Sequence, residues 1–364
     1  MNISIGIVGL PNVGKSTLFN ALTNLQIPAE NYPFCTIEPN IGIVAVADKR
    51  LIELNSLVAT KKIIPAVIEF HDIAGLVKDA HIGEGLGNAF LANIRNTNII
   101  VHLIRDFKTS DVTHVENTVN PKRDKEIIEM ELILKDLESV KLKSQKLQKE
   151  ERFLKTYEKC KSYLLEIEAV LNKGQLVSTM AQSEDEELNT FRSDLFLLTD
   201  KQIIYLINGD WNENSENLIS TYRKDLEIPE RYPILLMNIK EEYELSQLNF
   251  EERQEFIEAL GIKYSGLDLL TRETYNTLGL ISFFTVGPDE IRAWTIKKNS
   301  TIKVASGVIH TDFEKKFIAA DVVGYQDFIA LGGWEEARKN GKLRLEGKEY
   351  IVKDGDIVVI KHGA

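Results

Sequence analysis

The chain has 364 residues, 43% of them hydrophobic and 27% charged, so it can bury a large core and form about two or three domains. Its 44 basic and 55 acidic residues leave a net charge of −11, which argues against general nucleic-acid or DNA binding and confines such a contact to a local patch. Cys35 and Cys160 lie far apart without metal-ligand spacing, which fits a reducing compartment. With neither a leader pattern nor an apolar run of about 18 residues, we expect a cytoplasmic protein without membrane contact.

The first motif is a phosphate-binding loop. The run Gly9-Leu10-Pro11-Asn12-Val13-Gly14-Lys15-Ser16 fits the pattern G-x-x-x-x-G-K-[ST] at every fixed position. Apolar residues 3–8 predict a buried parallel strand before it, and residues 16–22 predict a helix after it. In that arrangement backbone N–H groups surround the phosphates and the helix N-terminus adds positive charge. We expect Lys15 to reach the β- and γ-phosphates and Ser16 to ligate Mg²⁺.

Two further segments are typical of nucleotide switches. Residues 23–35 predict an irregular segment that leads to Thr36, a candidate second Mg²⁺ ligand, although most loop threonines only cap or turn. The apolar strand 66–71 leads into Asp72 and Gly75 of a D-x-x-G motif. We expect Asp72 to hold a Mg²⁺-bound water and the Gly75 N–H to sense the γ-phosphate.

Two features separate the chain from a typical guanine-specific switch. Leu76 stands where Ras-type enzymes carry a water-orienting Gln, and an apolar side chain cannot polarise water. Guanine selection needs N-K-x-D, because its Asp accepts from guanine N1–H and would repel adenine N1. At the end of the strand 201–207 stands Asn208-Gly209-Asp210-Trp211, without that Lys or Asp. ATP is therefore the favoured substrate, with relaxed ATP and GTP use second, and Asn208 either holds loops together or meets the base.

The middle of the chain predicts a helical hairpin. Between about residues 123 and 171 two stripes have heptad-like spacing, and the turn is predicted at residues 148–152. The stripes are Ile133, Leu137, Val140, Ser144 and Leu147, then Phe153, Tyr157, Cys160, Leu164, Ile167 and Leu171. Residues 141–161 carry eight basic and three acidic side chains. This charge indicates either a solvated helix face or a phosphate-contacting arm.

The last part predicts a small mixed α+β module after the first fold resumes. Strands are expected at 201–207 and 234–237, and helices at 250–260 and 267–278. From about Gly279 short apolar strands alternate with turns. The expected strands span 280–286, 293–296, 343–345, 350–352 and 357–360.

Together these motifs resemble the Obg-like ATPases of the YchF family, in the translation-factor branch of P-loop GTPases. The resemblance covers essentially the whole length and is highly specific. It is carried by residues 9–17, 31–40, 72–77, 83–88, 292–295, 307–314 and 344–352.

The resemblance implies an α/β fold built around a P-loop G domain with a mostly parallel sheet. That domain is expected at 1–122 and 196–278, a helical coiled-coil insertion at 123–195, and a small α+β, ubiquitin-like TGS domain at 279–362. It also implies Mg²⁺-dependent hydrolysis of ATP in preference to GTP, and association with the ribosome. We expect a monomer that contacts rRNA of the large subunit through the helical arm or the TGS domain.

Nucleotide contacts are expected from Asn12, Val13, Gly14, Lys15, Ser16, Thr17, Asn208 and Gly209. Catalytic roles are expected for Lys15, Asp72 and Gly75, and metal ligation for Ser16 and Thr36. The family's base motif is usually N-x-x-E, whereas the fourth residue here is Trp211, which leaves base selectivity open. Asn12 matches the residue that ligates K⁺ in related potassium-activated GTPases, so we predict potassium stimulation.

Two other functions remain open at this point. One is a GTPase of the Obg type. The other is a ribosome- or RNA-binding module in which the nucleotide is only a structural ligand.

Overall fold

The computed structural model describes most of the chain. It covers residues 3–25, 41–71, 94–107, 118–149, 156–210, 216–259, 261–262 and 264–363. The switch predictions at Thr36, Asp72, Gly75 and Leu76, and the segments 31–40 and 83–88, lie outside the described residues. Among the described helices, none has the length and hydrophobicity that crossing a bilayer requires.

The described strands form two mixed sheets. The first has the order β2-β4-β1-β5-β6-β7 and the second β11-β10-β12-β8-β9-β3. The strands are β1 (Ser4–Val8), β2 (Ile41–Ala45), β3 (Lys62–Ile64), β4 (Val67–His71), β5 (Ile99–Arg105), β6 (Gln202–Asn208), β7 (Ile234–Met237), β8 (Leu280–Val286), β9 (Glu290–Lys297), β10 (Phe317–Gly324), β11 (Arg344–Glu346) and β12 (Asp356–His362).

The helices cover both faces of the first sheet and parts of the second. They are α1 (Lys15–Asn24), α2 (Lys49–Val58), α3 (Pro121–Lys149), α4 (Tyr157–Asn172), α5 (Glu186–Ser193), α6 (Glu216–Asp225), α7 (Ile239–Ser246), α8 (Phe250–Ala259), α9 (Gly266–Thr277), α10 (Ile302–Ile309), α11 (Thr311–Lys315), α12 (Tyr325–Leu331) and α13 (Trp334–Lys339).

The first sheet is mostly parallel, as the sequence predicted. Strands β4, β1, β5, β6 and β7 are parallel, and only β2 runs antiparallel, against β4. Strands β1 and β5 are buried along their whole length, so both faces demand apolar side chains. The carboxyl ends of β1, β5 and β6 therefore meet at one edge of the sheet.

The two helical stripes share one core. In α3 it buries Ile133, Val140 and Leu147, with Leu137 partly buried against them. In α4 it buries Tyr157, Cys160, Leu164, Ile167 and Leu171. The same core contains Val8, Ile100 and Ile104, so the two helices pack directly on the first sheet.

The second sheet contains a strand from the first third of the chain, which sequence reasoning missed. β3 pairs in parallel with β9, with Ile63 opposite Ile291. A strand of three residues with no alternation of polar and apolar side chains cannot be recognised from its own sequence. Its strand conformation depends on pairing with the distant strand β9. β10 was also missed.

The strand prediction at 350–352 was wrong. That segment makes only an isolated bridge, between Ile351 and Thr301. The Asp356 carboxylate accepts a hydrogen bond from the Lys353 N–H at 2.8 Å and closes a turn directly after it. The apolar segment is therefore too short to continue as a strand.

One arginine joins α2 to the C-terminal module. Arg50, at the start of α2, donates to its own helix cap Asp48 and to Asp354 of the C-terminal module, with Nη–Oδ2 distances of 2.7 and 2.8 Å. Its guanidinium carbon lies 4.9 Å from the ring centre of Phe284. Tyr325 adds a second link by donating to Glu53 of α2. The C-terminal module is thus held to α2 by charge and by core packing together.

A buried histidine lies between the first sheet and α3. His102 is 1% exposed, and neither ring nitrogen has a hydrogen-bond partner within the described part of the chain. Its ring lies 5.4 Å from that of Tyr205, whose hydroxyl donates to Glu129 of α3. Burial, aided by the charge of Lys125, lowers the pKa of His102 to about 3.

We predict that His102 makes the fold sensitive to acid. The unfolded chain takes up a proton near pH 6.5, whereas the folded protein keeps His102 neutral to about pH 3, so stability falls as pH is lowered through this window. At pH 5 the loss should be about 2 kcal/mol. Chemical unfolding at pH 7 and pH 5 should show this loss in the wild type and a much smaller one in His102→Leu.

The control is His310→Gln, because the side chain of His310 is 58% exposed. This variant should keep the wild-type pH dependence. An unchanged pH dependence in His102→Leu would contradict the prediction.

Candidate functional site

The loop between β1 and α1 has a backbone conformation that requires glycine at two positions. Gly14 has φ 107° and Asn12 has φ 62°, both in the left-handed region. A Cβ on Gly14 would lie 2.7 Å from Nδ2 of Asn208, and one on Gly9 would lie 2.5 Å from the Leu103 carbonyl oxygen. Both glycines are therefore needed for close approach of neighbouring elements.

Three side chains hold the carbonyl groups of this loop. Lys15 Nζ donates to the carbonyls of Gly9 and Leu10, at 2.9 and 2.6 Å. Arg105, at the end of β5, donates to the carbonyl of Asn12 at 3.3 Å. Asn208, at the end of β6, donates to the carbonyl of Val13 at 3.0 Å.

This anchoring orients the loop amides. In a trans peptide the N–H points opposite to the C=O of the preceding residue. Because the carbonyls of Asn12 and Val13 are bonded to Arg105 and Asn208, the amides of Val13 and Gly14 point to the other side. They join the first turn of α1, which no described side chain caps. Such an array of N–H groups binds an anion such as phosphate.

Asn208 connects the phosphate loop to α7. Its side-chain oxygen accepts from the Ile239 N–H at 3.1 Å, while its NH₂ group bonds to Val13. The residue is 6% exposed, so both ends of the amide are used inside the protein. Of the two roles considered from sequence, the structure shows the loop-holding one, and contact with a base stays a prediction.

Two neighbours of Asn208 complete this edge of the sheet. The Gly209 N–H donates to the Met237 carbonyl at 3.1 Å, so this amide is already bonded within the protein. Asn238 caps α7, accepting from the Glu241 N–H at 3.3 Å. The run Asn238-Ile239-Lys240-Glu241, which also has N-x-x-E spacing, is therefore the start of α7.

Sequence reasoning missed Arg105. It is 2% exposed, stacks on Phe107 with 4.2 Å between the guanidinium carbon and the ring centre, and donates to the Phe107 carbonyl. A charged residue ending an otherwise apolar strand next to the phosphate-loop strand is the signal that could have found it. Its contact with Asn12 depends on β1 and β5 being adjacent, which the sequence does not state.

The structure brings most predicted nucleotide contacts together. Residues 12–17 form the loop and first turn of α1, and Asn208 and Gly209 lie at the adjoining strand end. Ser16 is exposed there, and its hydroxyl has no hydrogen bond to the described chain. An exposed hydroxyl beside an anion-binding loop fits one ligand of a Mg²⁺ ion. The described residues contain no group of three or more His, Cys, Asp or Glu that could hold a metal ion.

The parallel sheet, the loop with its anchored carbonyls and the uncapped helix define a P-loop nucleotide hydrolase. A family model described as MMR_HSR1, a 50S ribosome-binding GTPase, matches residues 4–136. A second, described as YchF-GTPase_C, a protein of unknown function, matches residues 280–363. The chain belongs to the YchF family, as its sequence resemblance indicated.

Relatives match over nearly the whole length. The chain is 44% identical over 365 residues to the ribosome-binding ATPase YchF of Bacillus subtilis, covering 98% of each protein. It is 45% identical over 371 residues to the protein of the same name from Mycoplasma genitalium, covering 99% of each.

Solved structures agree on the fold. The Schizosaccharomyces pombe YchF GTPase superposes with a TM-score of 0.87 at 36% identity, covering 99% of this chain and 98% of that one. A GTP-binding protein from Pyrococcus horikoshii, with a TM-score of 0.59 at 18% identity, shares the fold. That match covers 99% of this chain and 100% of that one.

We predict that Asn208→Ala weakens nucleotide binding by about tenfold or more. The change removes the donor to Val13 and the acceptor for the Ile239 N–H, and unsatisfied buried groups cost about 1–3 kcal/mol each. Calorimetric titration with a non-hydrolysable ATP analogue measures the effect.

The matched control is Asn238→Ala, which removes a helix cap at the neighbouring strand end without touching the phosphate loop. It should lower the thermal midpoint while leaving affinity nearly unchanged. Equal losses of affinity in both variants would show that Asn208 acts only through general stability.

Proposed function

We propose that this protein is a Mg²⁺-dependent ATPase that uses GTP more weakly and acts as a conformational switch on the ribosome. The observation that supports it is the phosphate loop, with its carbonyls held by Lys15, Arg105 and Asn208. The curated relatives at 44–45% identity are named ribosome-binding ATPases.

The reaction is the in-line attack of water on the γ-phosphate. Lys15 is 9% exposed and now donates to the Gly9 and Leu10 carbonyls, so it exchanges these bonds for phosphate oxygens when nucleotide binds. The amides of Val13 and Gly14 and the start of α1 stabilise the charge that develops on those oxygens.

Ser16 would hold a Mg²⁺ ion, which neutralises the β- and γ-phosphate oxygens when bound. Thr36 as a second ligand, Asp72 on a metal-bound water and Gly75 at the γ-phosphate complete the proposed site. Leu76 replaces the Gln that orients the water in Ras-type enzymes, so that position carries no polar side chain. A partner can supply the missing group, as an arginine finger does.

Preference for ATP rests on the end of β6. Gly209 stands where a guanine site carries the Lys, and Trp211 stands where it carries the Asp. The motif therefore lacks the carboxylate that accepts from guanine N1–H and repels adenine N1. Selectivity against GTP is accordingly expected to be modest.

Ribosome association rests on the helical arm. Lys141, Lys146 and Lys149 of α3 are exposed, and none has a carboxylate partner in the described part of the arm. A cluster of unpaired lysines in a protein of net charge −11 forms a local phosphate-binding surface. We propose that this surface, or the C-terminal module, contacts rRNA of the large subunit, and that the protein is a cytoplasmic monomer.

The deciding experiment compares ATP and GTP analogues by calorimetry with Mg²⁺, with and without ribosomes. We expect tighter binding of the ATP analogue and near-complete loss of hydrolysis in Lys15→Ala. A large guanine preference would instead identify a GTPase of the Obg type. Full ribosome binding and cellular function in Lys15→Ala would make the nucleotide a structural ligand only.

We also predict faster ATP turnover in potassium than in sodium buffer. Asn12 lies in the phosphate loop, where its backbone carbonyl accepts from Arg105 and the residue is exposed. Turnover measured at equal ionic strength should differ in the wild type, and Asn12→Ala should remove the difference. Equal turnover of the wild type in the two salts would contradict potassium activation.

A further inference from the structure

A second cavity lies between the nucleotide-binding fold and the C-terminal module. Its volume is about 770 Å³. Its walls come from the β2–α2 connection, from α9 with the residues before it, and from the loops at 298–299 and 351–354. None of the phosphate-loop residues 9–17 lines it, so it is separate from the nucleotide site.

The residues that line this cavity carry an excess of positive charge. Two carboxylates line it, Asp48 and Asp354, and Arg50 bonds to both. Four other cations line it and have no carboxylate partner among the described residues. They are Lys49, Arg272, Lys298 and Lys353, all of them exposed.

Two of these cations converge on one aromatic ring. Lys49 Nζ lies 5.6 Å and the Arg272 guanidinium carbon 4.2 Å from the ring centre of Tyr264. The ring face attracts each cation, but the two positive charges repel each other. A bound anion would relieve that repulsion.

The remaining walls suit an organic ligand. Val46, Leu280 and Val352 line the cavity together with Tyr264. A cavity of this size with an apolar wall and a few convergent charges is typical of small-molecule sites, which span about 300–1,000 Å³. A polynucleotide instead needs a basic groove that follows its backbone over several nucleotides.

We propose that this cavity is a second ligand site, which binds a small phosphate-bearing organic anion of mononucleotide size. The phosphate bonds to Arg272, Lys298 and the neighbouring lysines, and the organic part packs on Tyr264. The ligand bridges α9 to the C-terminal module next to the Arg50 contact, and so fixes the two parts of the chain together. This site does not depend on the proposed ATPase function.

The test uses a fluorescent mononucleotide, N-methylanthraniloyl-AMP, with the phosphate loop first saturated by Mg²⁺ and a non-hydrolysable ATP analogue. Fluorescence anisotropy should show one probe bound per chain. The variant Arg272→Gln with Lys298→Gln should weaken binding by about a hundredfold, because each of the two lost charged hydrogen bonds is worth about a factor of ten. Lys15→Ala should still bind the probe.

The matched control is Lys303→Gln with Lys315→Gln, which makes the same charge change at exposed positions of α10 and α11 outside the cavity. It should bind like the wild type, and equal thermal midpoints in both double variants establish that the fold is intact. Pyrophosphate should compete with the probe.

Three results would overturn the proposal. The first is no binding once the phosphate loop is saturated. The second is an equal loss of affinity in both double variants. The third is much stronger competition by a short single-stranded RNA than by pyrophosphate, which would assign the cavity to a polynucleotide.

Discussion

The conformation of the phosphate loop depends on hydrogen bonds that side chains from other elements donate to its carbonyl groups. A glycine-containing loop of this length has many backbone conformations, and only a few of them present several N–H groups to one anion. Arg105 and Asn208 remove that freedom by bonding to consecutive carbonyls from two neighbouring strand ends. The parallel sheet matters to the site because it places those two strand ends beside the loop.

The same constraint extends into the surrounding helices. Asn208 also accepts from the first N–H of α7, and the Glu242 side chain in α7 accepts from the Gly266 and Leu267 amides at the start of α9. Burial raises the pKa of Glu242, while the two amide bonds oppose this rise. Through these contacts the phosphate loop, α7 and α9 form one hydrogen-bonded chain that reaches the wall of the second cavity.

The C-terminal module shares a hydrophobic core with the first sheet and α2. One continuous hydrophobic core contains Ile5 and Leu18 beside the phosphate loop, Leu54 of α2, and Phe284 and Ile291 of the second sheet. The pairing of β3 with β9 and the Arg50 contacts lie over that core.

The sequence alone was enough to predict the phosphate loop, the parallel sheet, the two helical stripes and the family. Each of them shows in local residue spacing or in a run of specific residues. Residues outside the described chain, including Thr36, Asp72 and Gly75, keep their roles as predictions. Only the tertiary structure showed that Arg105 and Asn208 donate hydrogen bonds to the loop carbonyls, that β3 belongs to the second sheet, and that four cations line one cavity. These facts depend on contacts between residues far apart in the chain. A local sequence pattern does not specify which distant segment it will contact.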